Sequence, residues 1–306
     1  MKIAVMGPGG VGGYFGARLV AAGNDVTFVA RGAHLAAMRR DGLRLDSELG
    51  ALHLSPVEVV ADAREIAAAD VIIFAVKMRD TESAAQSLKP QVAKGAAIFT
   101  FQNGVESAER VGRIVGAGNV VPGVARIGSH IPEPGVIKQT GTFCRLEFAE
   151  ADGKRSARVT ALLEACKRAG FDAVAPQNIG REVWMKFAML APLSGMTALT
   201  RLPIGPIRTN AQSRALLEAA VKETVAVGVA LETGLTRADE VDLLKLLDSF
   251  PTSLMASMAH DLLAGKPIEL DGLSGAVARL GKTRGVPTPT HTFIAQALAP
   301  FVNGKL

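Results

Sequence analysis

The stretch "KIAVMGPGGVGGYFGARLVAAGNDVTFVA", residues 2–30, decides the fold of the N-terminal half. It opens with an apolar run over residues 2–6, which is typical of a buried parallel strand. A glycine-rich turn and a helical pattern follow, with Gly23 placed as the C-terminal stop of the helix. The closing "DVTFVA" predicts a second strand, so strand, turn, helix and strand fit into about 30 residues.

The glycines of this turn form the pattern G-x-G-x-x-G between the first strand and the helix. In that position one glycine makes the turn, one lets the backbone approach a pyrophosphate and one packs helix against strand. The pattern alone is also compatible with an ordinary glycine-rich turn. In this setting it predicts a dinucleotide site, whose cofactor-binding residues at the turn are Gly7, Gly9, Gly10, Val11 and Gly12.

The end of the second strand indicates which cofactor is bound. An NAD site usually has an acidic residue there, which accepts a hydrogen bond from the ribose 2′-hydroxyl. Here no acid occurs between Asp25 and Asp41, and Arg31 stands where the acid would be. A guanidinium matches a 2′-phosphate in charge and geometry, which favours NADP(H) over NAD. An exposed arginine after a strand is also common without any such role.

Polar residues follow two further apolar strands, "ADVIIFAVK" at 69–77 and "AAIFTFQNG" at 96–104. Open α/β sheets bind ligands at the carboxyl ends of their strands. Lys77 and Asn103 are therefore expected beside the cofactor and the substrate. Because polar residues end many strands, position alone does not decide this role.

The rest of the chain divides into a mixed and a helical part. Short extended pieces after residue 120, a helix near 156–169 and a strand at 171–175 complete the first part. From Asn178 onward helical spacing dominates. The predicted fold class is α/β, with an N-terminal Rossmann-like doubly wound sheet in residues 1–176 and an all-helical C-terminal domain in residues 177–306.

Composition excludes several classes of function. The 306 residues are 48% hydrophobic and 21% charged, with a net charge of +5. No apolar run reaches the roughly 18–20 residues of a membrane span, and the first one is too short for a signal peptide. Scattered basic residues with one Trp and one Tyr argue against nucleic-acid binding. Two cysteines give no disulfide framework, which fits a cytoplasmic protein, and five histidines show no metal-ligand spacing. A helical domain of this size often forms a homodimer.

A single lysine, Lys186, stands in the apolar run "WMKFAMLAPLSGMTALT" at 184–200. Its stem could lie on apolar surface while the ammonium stays in water. Alternatively, the helix presents a reactive amine. Reduction of a ketone by hydride leaves a developing alkoxide, and a lysine partly desolvated by apolar neighbours is suited to protonate and stabilise it.

Taken in order, these motifs resemble those of the ketopantoate (2-dehydropantoate) reductase family over nearly the whole chain. The resemblance rests on the turn glycines, Arg31, Lys77 and further matched segments, which are "QNG" at 102–104, "WxK" at 184–186, "TALTRLPIG" at 197–205 and "SMAHDLLAGKPIELDGLSGAV" at 257–277. It implies NADPH-dependent reduction of 2-dehydropantoate, or a related small 2-keto acid, in a pathway of the pantothenate type.

The resemblance also implies roles for individual residues. Lys186 matches the general acid of the family, and Glu269 would act with it and hold substrate. Asn103 and Ser257 match residues that hold the substrate, while Lys77 matches a lysine beside the nicotinamide and the substrate. No metal is implied.

Three positions depart from the family, which usually has asparagines there: Leu190, Ser194 and Ile204. Ser194 still offers a hydroxyl and is kept as a candidate substrate residue. The departures leave open a sister NADP-dependent 2-keto acid or β-hydroxyacid dehydrogenase with a more apolar substrate. A non-catalytic NADP-binding sensor is a further alternative, although the retention of Lys186 with Glu269 favours an enzyme.

Overall fold

The computed structural model describes residues 1–305, which form two compact units. The N-terminal unit comprises Met1–Gln102 and Glu106–Ile179. The helical unit comprises Asn103–Val105 together with the residues from Gly180 onward. The short segment Asn103–Val105 therefore belongs to the helical unit although it lies between two elements of the other.

The N-terminal unit contains ten strands and five α-helices. The strands are β1 (Lys2–Met6), β2 (Asp25–Val29), β3 (Leu43–Ser47), β4 (Leu52–Leu54), β5 (Glu58–Val60), β6 (Val71–Phe74), β7 (Ala97–Thr100), β8 (Val120–His130), β9 (Val136–Phe148) and β10 (Asp172–Val174). The helices are α1 (Gly10–Ala21), α2 (Gly32–Asp41), α3 (Thr81–Ala93), α4 (Ser107–Val115) and α5 (Ala157–Arg168).

The strands form one mixed sheet in the order β4-β3-β9-β8-β7-β6-β1-β2-β5, with β10 beside β9. From β5 to β8 all neighbours are parallel, whereas β8 and β9 pair antiparallel. In the register Met6 faces both Val29 and Phe74, and Phe74 faces Thr100. The segments that follow these strands therefore begin at one edge of the sheet, as the sequence predicts.

The long strand β9 differs from the sequence-based prediction. The sequence predicts short extended pieces after residue 120, but Val136–Phe148 form the single long strand β9. Gly141 lies inside it with a φ of +80°, and the register against β8 shifts between Ile127 and Gly128. A glycine with positive φ makes a local irregularity inside a strand. In the sequence, such a glycine looks like a turn between two strands.

The helical unit contains seven α-helices around its own apolar core. They are α6 (Ile179–Thr200), α7 (Ile204–Thr209), α8 (Ala211–Ala230), α9 (Asp239–Ser249), α10 (Ser257–Leu263), α11 (Ser274–Thr283) and α12 (Pro289–Leu298). Trp184 and Phe187 of α6 are buried in this core, with their rings edge to face at 5.3 Å. The predicted class, a Rossmann-like part followed by a helical part, is confirmed.

None of the helices within residues 1–305 combines the length and apolar character needed to cross a bilayer.

Candidate functional site

Gly7 and Gly12 in the turn after β1, and Gly16 in the helix that follows, are each required by a specific close contact. Gly7 has a φ of +90°, and a Cβ there would lie 2.9 Å from the backbone of Val76. A Cβ at Gly12 would lie 2.3 Å from the carbonyl oxygen of Gly7. Gly16, one turn further along α1, would place a Cβ 2.5 Å from the ring of Phe28. The turn and the helix can therefore pack this tightly only because these side chains are absent.

Gly9 differs from its neighbours because it faces open space. Apart from the adjoining backbone of the turn and helix, no atom of residues 1–305 lies within 4 Å of the position a Cβ would take there. Gly9 is also the N-cap of α1, and no side chain of the described residues caps that helix end. The first backbone N–H groups of a helix point outward and attract anions. This arrangement fits a pyrophosphate at Gly9, Gly10 and Val11.

Arg31 follows β2 at the start of α2, with 62% of its side chain exposed. Its guanidinium lies 4.0 Å from one carboxylate oxygen of Asp80, while Arg79 lies 3.8 Å from the other. The charge of Arg31 also acts on Asp62. The pKa of the Asp62 carboxyl is lowered to about 2, mainly by hydrogen bonds from Arg64 and to a smaller extent by Arg31. A 2′-phosphate at Arg31 would therefore compete with carboxylates, of which Asp80 was not recognised from the sequence.

Lys77 and Gln102 follow β6 and β7 at the same sheet edge. Lys77 is exposed and starts the short 3₁₀ turn Met78–Asp80. The Gln102 amide donates to the Val76 carbonyl at 2.9 Å and to the Thr81 hydroxyl at 3.0 Å. Gln102 thus holds the backbone just before Lys77 and the Thr81 side chain after it. The sequence marks Gln102 only as the polar end of a strand and gives no sign of this role.

In the helical unit the structure brings Lys186 and Asn103 together. The Lys186 ammonium donates to the Asn103 Oδ1 atom at 2.9 Å, although the residues are 83 positions apart. Both side chains are half-buried. With its oxygen turned to the ammonium, the Asn103 amide presents its N–H₂ group elsewhere, where it can donate to an anionic or carbonyl oxygen. A cation and a neutral donor are therefore held side by side.

The residues that depart from the family pattern do not share one environment. Leu190 lies one turn after Lys186 on α6 and is half-buried. Ser194 and Ile204 are fully buried. The Ser194 hydroxyl has no hydrogen-bond partner among the described residues, and Ile204 packs in the helical core. Of the three, only Leu190 keeps surface that a ligand can touch.

Ser257 begins α10, and Glu269 lies in the connection that follows this helix. Ser257 is the exposed first residue of α10, directly after its N-cap. Glu269 is half-buried and precedes the 3₁₀ turn Leu270–Gly272, which leads into α11. Like Lys186 and Asn103, both belong to the helical unit.

Within residues 1–305 no group of three or more His, Cys, Asp or Glu side chains is arranged to hold a metal ion.

Two family models match the chain. The description "Ketopantoate reductase PanE/ApbA" covers residues 3–153, and that of its C-terminal domain covers residues 178–301. A 2-dehydropantoate 2-reductase of Mesorhizobium japonicum is 31% identical over 311 residues, which is 95% of this chain and 94% of the relative.

Solved structures agree with this match. A PanE/ApbA family ketopantoate reductase from Ralstonia eutropha JMP134 superposes with a TM-score of 0.90 at 28% identity, covering 99% of this chain and 98% of that one. A D-mandelate dehydrogenase, solved with NADH and anilino(oxo)acetate, has the same fold with a TM-score of 0.90 at 21% identity, over 99% and 98% of the two chains. The chain belongs to the ketopantoate reductase PanE/ApbA family, whose members are nicotinamide-dinucleotide-dependent oxidoreductases.

Proposed function

We propose that this protein reduces 2-dehydropantoate to the 2-hydroxy acid with NADPH, a reaction of the pantothenate pathway type. The observation that carries the proposal is the 2.9 Å hydrogen bond between Lys186 and Asn103. It holds an ammonium in a fixed direction on a helix whose other side packs in the core. The family match supports the same reaction, and two buried cysteines without a disulfide suit a reducing cytoplasm.

Cofactor binding is assigned to residues 1–176. The turn Gly7–Gly12 would hold the pyrophosphate at the N-terminus of α1, and Arg31 would hold the 2′-phosphate. Lys77 and Asn103 follow β6 and β7 and are assigned to the nicotinamide end. When bound, the reduced nicotinamide supplies a hydride to the keto carbon.

Proton transfer is assigned to Lys186. As the carbonyl oxygen gains negative charge, the ammonium stabilises it electrostatically and then donates the proton that makes the hydroxyl. Asn103 keeps the ammonium oriented through its Oδ1 atom and can donate to the substrate through its amide N–H₂ group. Glu269 and Ser257 are assigned to holding the substrate, and Glu269 also to keeping the amine charged.

A second candidate substrate is a 2-keto acid with a more apolar tail. Leu190 favours it, because this side chain lies next to Lys186 along α6 and offers no hydrogen bond where the family usually has an amide. A buried substrate hydroxyl without a hydrogen-bond partner costs free energy. Such a pocket would therefore not favour 2-dehydropantoate over an analogue without the hydroxyl. The ternary complex of the D-mandelate dehydrogenase is a further reason to test bulky apolar acids.

The test is turnover with NADPH of 2-dehydropantoate and of 3,3-dimethyl-2-oxobutanoate, which lacks only the terminal hydroxyl. Wild type is compared with Leu190→Asn, which restores the amide. We expect 2-dehydropantoate to be reduced, and Leu190→Asn to raise kcat/KM for it relative to the analogue. Preference of the wild type for the analogue would favour the apolar-tail dehydrogenase. If no 2-keto acid is reduced although NADPH binds, the protein is a sensor and the proposal is wrong.

A further inference from the structure

The imidazole of His34 links the dinucleotide-binding turn to the rest of the N-terminal unit. His34 lies in the first turn of α2, three residues after Arg31. Its Nε2 atom is 2.9 Å from the carbonyl oxygen of Pro8, which stands between Gly7 and Gly9. Its Nδ1 atom is 3.0 Å from the backbone nitrogen of Gly135, in the connection from β8 to β9. One side chain thus joins three segments that are distant in sequence.

These two contacts fix the protonation of the ring. The Gly135 N–H can only donate, so Nδ1 must be the acceptor and carry no hydrogen. The Pro8 carbonyl can only accept, so Nε2 must carry the hydrogen and donate it. Only the neutral Nε2–H tautomer makes both bonds, and an imidazolium would set two donors against each other at Gly135.

Besides His34, the turn is held by backbone hydrogen bonds, from the Gly7 N–H to the Val29 carbonyl at 3.3 Å and from the Gly13 N–H to the Gly9 carbonyl at 2.7 Å. Its remaining contacts described here are steric. Gly7 packs against Val76, and Gly10 packs against Ser129, where a Cβ would lie 2.5 Å from the carbonyl oxygen. Such contacts limit how close the segments come, whereas a hydrogen bond also sets direction. Gly135, the partner of His34, has a φ of +82° and a Cβ there would lie 3.1 Å from the Ala37 Cβ on α2. Both ends of the bridge therefore rest on tightly packed backbone.

We propose that neutral His34 is a positioning residue that holds the Gly7–Pro8–Gly9 turn in its dinucleotide-binding conformation, and that protonation of His34 loosens this turn. His34 acts through the backbone of Pro8. It serves the pyrophosphate, which NADH and NADPH share, so the effect is the same for both cofactors. The inference rests on dinucleotide binding and not on the proposed preference for NADPH.

The electrostatic surroundings favour the neutral ring at physiological pH. Burial lowers the pKa of His34 below its usual value of 6.5, and the hydrogen bond to Pro8 opposes this only in part. The turn Gly7–Gly10 carries no ionisable side chain. The β8–β9 connection contributes Glu133, which is 3.3 Å from Arg44 of β3. On α2 itself the charged residues are Arg39, Arg40 and Asp41, the last two paired with each other, with Arg31 just before the helix.

Cofactor affinity should fall as the pH is lowered. The ring is neutral above the lowered pKa, and both hydrogen bonds are then present. As the pH falls through that pKa the bond to Gly135 is lost, and cofactor affinity falls with it. NADH is the better probe, because the 2′-phosphate of NADPH itself titrates near pH 6.

The experiment measures the Kd of NADH and NADPH between pH 5 and pH 8 for wild type, His34→Ala and His34→Gln. The matched control is His53→Ala, because His53 also bonds a backbone carbonyl, that of Asp41 at 2.8 Å, but away from the turn. We expect His34→Ala to weaken both cofactors equally at pH 7.5, by about 2- to 10-fold for one hydrogen bond. The control should leave both Kd values unchanged.

The pH profile separates positioning from a general loss of structure. Wild type should bind NADH progressively more weakly below about pH 6.5, whereas His34→Ala and His34→Gln should show a flat profile because neither has a titrating group here. Should His34→Ala not fold, the Gln variant, which keeps a donor and an acceptor, still gives this readout. Wild-type affinity in His34→Ala, or a pH slope that persists in both variants, would overturn the proposal. Loss of NADPH binding alone would instead point to the 2′-phosphate site.

Discussion

The turn after β1 and the helix α6 differ in how they would form a functional site. At the turn, the proposed dinucleotide site depends on the absence of side chains, because Gly7 and Gly12 allow backbone contacts that any Cβ would block. On α6, the proposed catalysis depends on one side chain, Lys186, which is hydrogen-bonded to Asn103, a partner 83 residues away. The glycine turn is formed by residues that are neighbours in the sequence, whereas Lys186 and Asn103 come together only when the chain folds. The two should therefore respond to mutation in different ways.

The largest effect is expected at the side-chain site. Lys186→Ala should lower kcat by roughly 10²- to 10⁴-fold, the usual range for a positioned general acid. The control is Lys245→Ala, which should leave kcat unchanged: the Lys245 side chain is 73% exposed, and its ammonium lies 3.4 Å from Asp242. Asn103→Ala should have a smaller effect.

The two substitutions should not be additive, because Asn103 acts partly through the lysine. Kinetics of the double variant Asn103→Ala/Lys186→Ala measure this. Near-normal turnover of Lys186→Ala would identify the lysine as an ordinary surface residue. Full additivity of the two changes would show that the observed hydrogen bond has no part in catalysis.

At the backbone site two neighbouring glycines should differ. Gly9→Ala adds a methyl group to open space, so the fold should stay intact while both cofactors bind about tenfold more weakly or worse, since 1.4 kcal/mol of steric cost is one factor of ten. Gly12→Ala puts a Cβ against the Gly7 carbonyl and should lower the melting temperature instead. Calorimetry and cofactor titration of the two variants check this. Equal thermal stability of both variants would contradict the packing role of Gly12.

Local patterns in the sequence predict part of the fold, whereas contacts between distant segments are not encoded in any one stretch. Strands β1 and β2, the helix between them, and the helical second half follow from apolar periodicity and glycine spacing. The antiparallel pair β3 and β4 is absent from the sequence-based prediction because the strands, with five and three residues, are too short for a clear periodic pattern. The approach of Lys186 to Asn103, and of Asp80 to Arg31, could not be read from spacing, since both depend on how distant segments pack.

An intermediate effect is expected on cofactor preference. Arg31→Ala should lower the ratio of kcat/KM with NADPH to that with NADH by about tenfold or more, because a hydrogen bond to a charged group contributes roughly 1.5–3 kcal/mol. Asp80→Asn should raise the ratio by up to about fivefold, since an exposed pair contributes at most about 1 kcal/mol. Arg40→Ala, on the same helix and paired with Asp41, is the control. Equal use of both cofactors by the wild type would exclude a 2′-phosphate clamp.

The smallest effect is expected at Ser194. Its buried hydroxyl has no partner among the described residues, so Ser194→Ala should leave kcat/KM unchanged and stability unchanged or slightly higher. The matched control is Thr197→Val on the same helix, which removes a hydroxyl that donates to the Leu193 carbonyl at 2.7 Å. That variant should lose about 0.5–1.5 kcal/mol of unfolding free energy. A tenfold fall in kcat/KM for Ser194→Ala would instead indicate that this serine contacts the substrate.

The contrast between the two sites is tested most directly by single-turnover reduction of 2-dehydropantoate in Lys186→Ala and Gly9→Ala, with NADPH affinity measured alongside. Lys186→Ala should bind NADPH like the wild type and lose the chemical step even at saturating cofactor. Gly9→Ala should bind NADPH weakly but regain a near-normal chemical step once the cofactor saturates. A normal chemical step in Lys186→Ala, or a slow step in Gly9→Ala that excess NADPH does not restore, would contradict this division of roles.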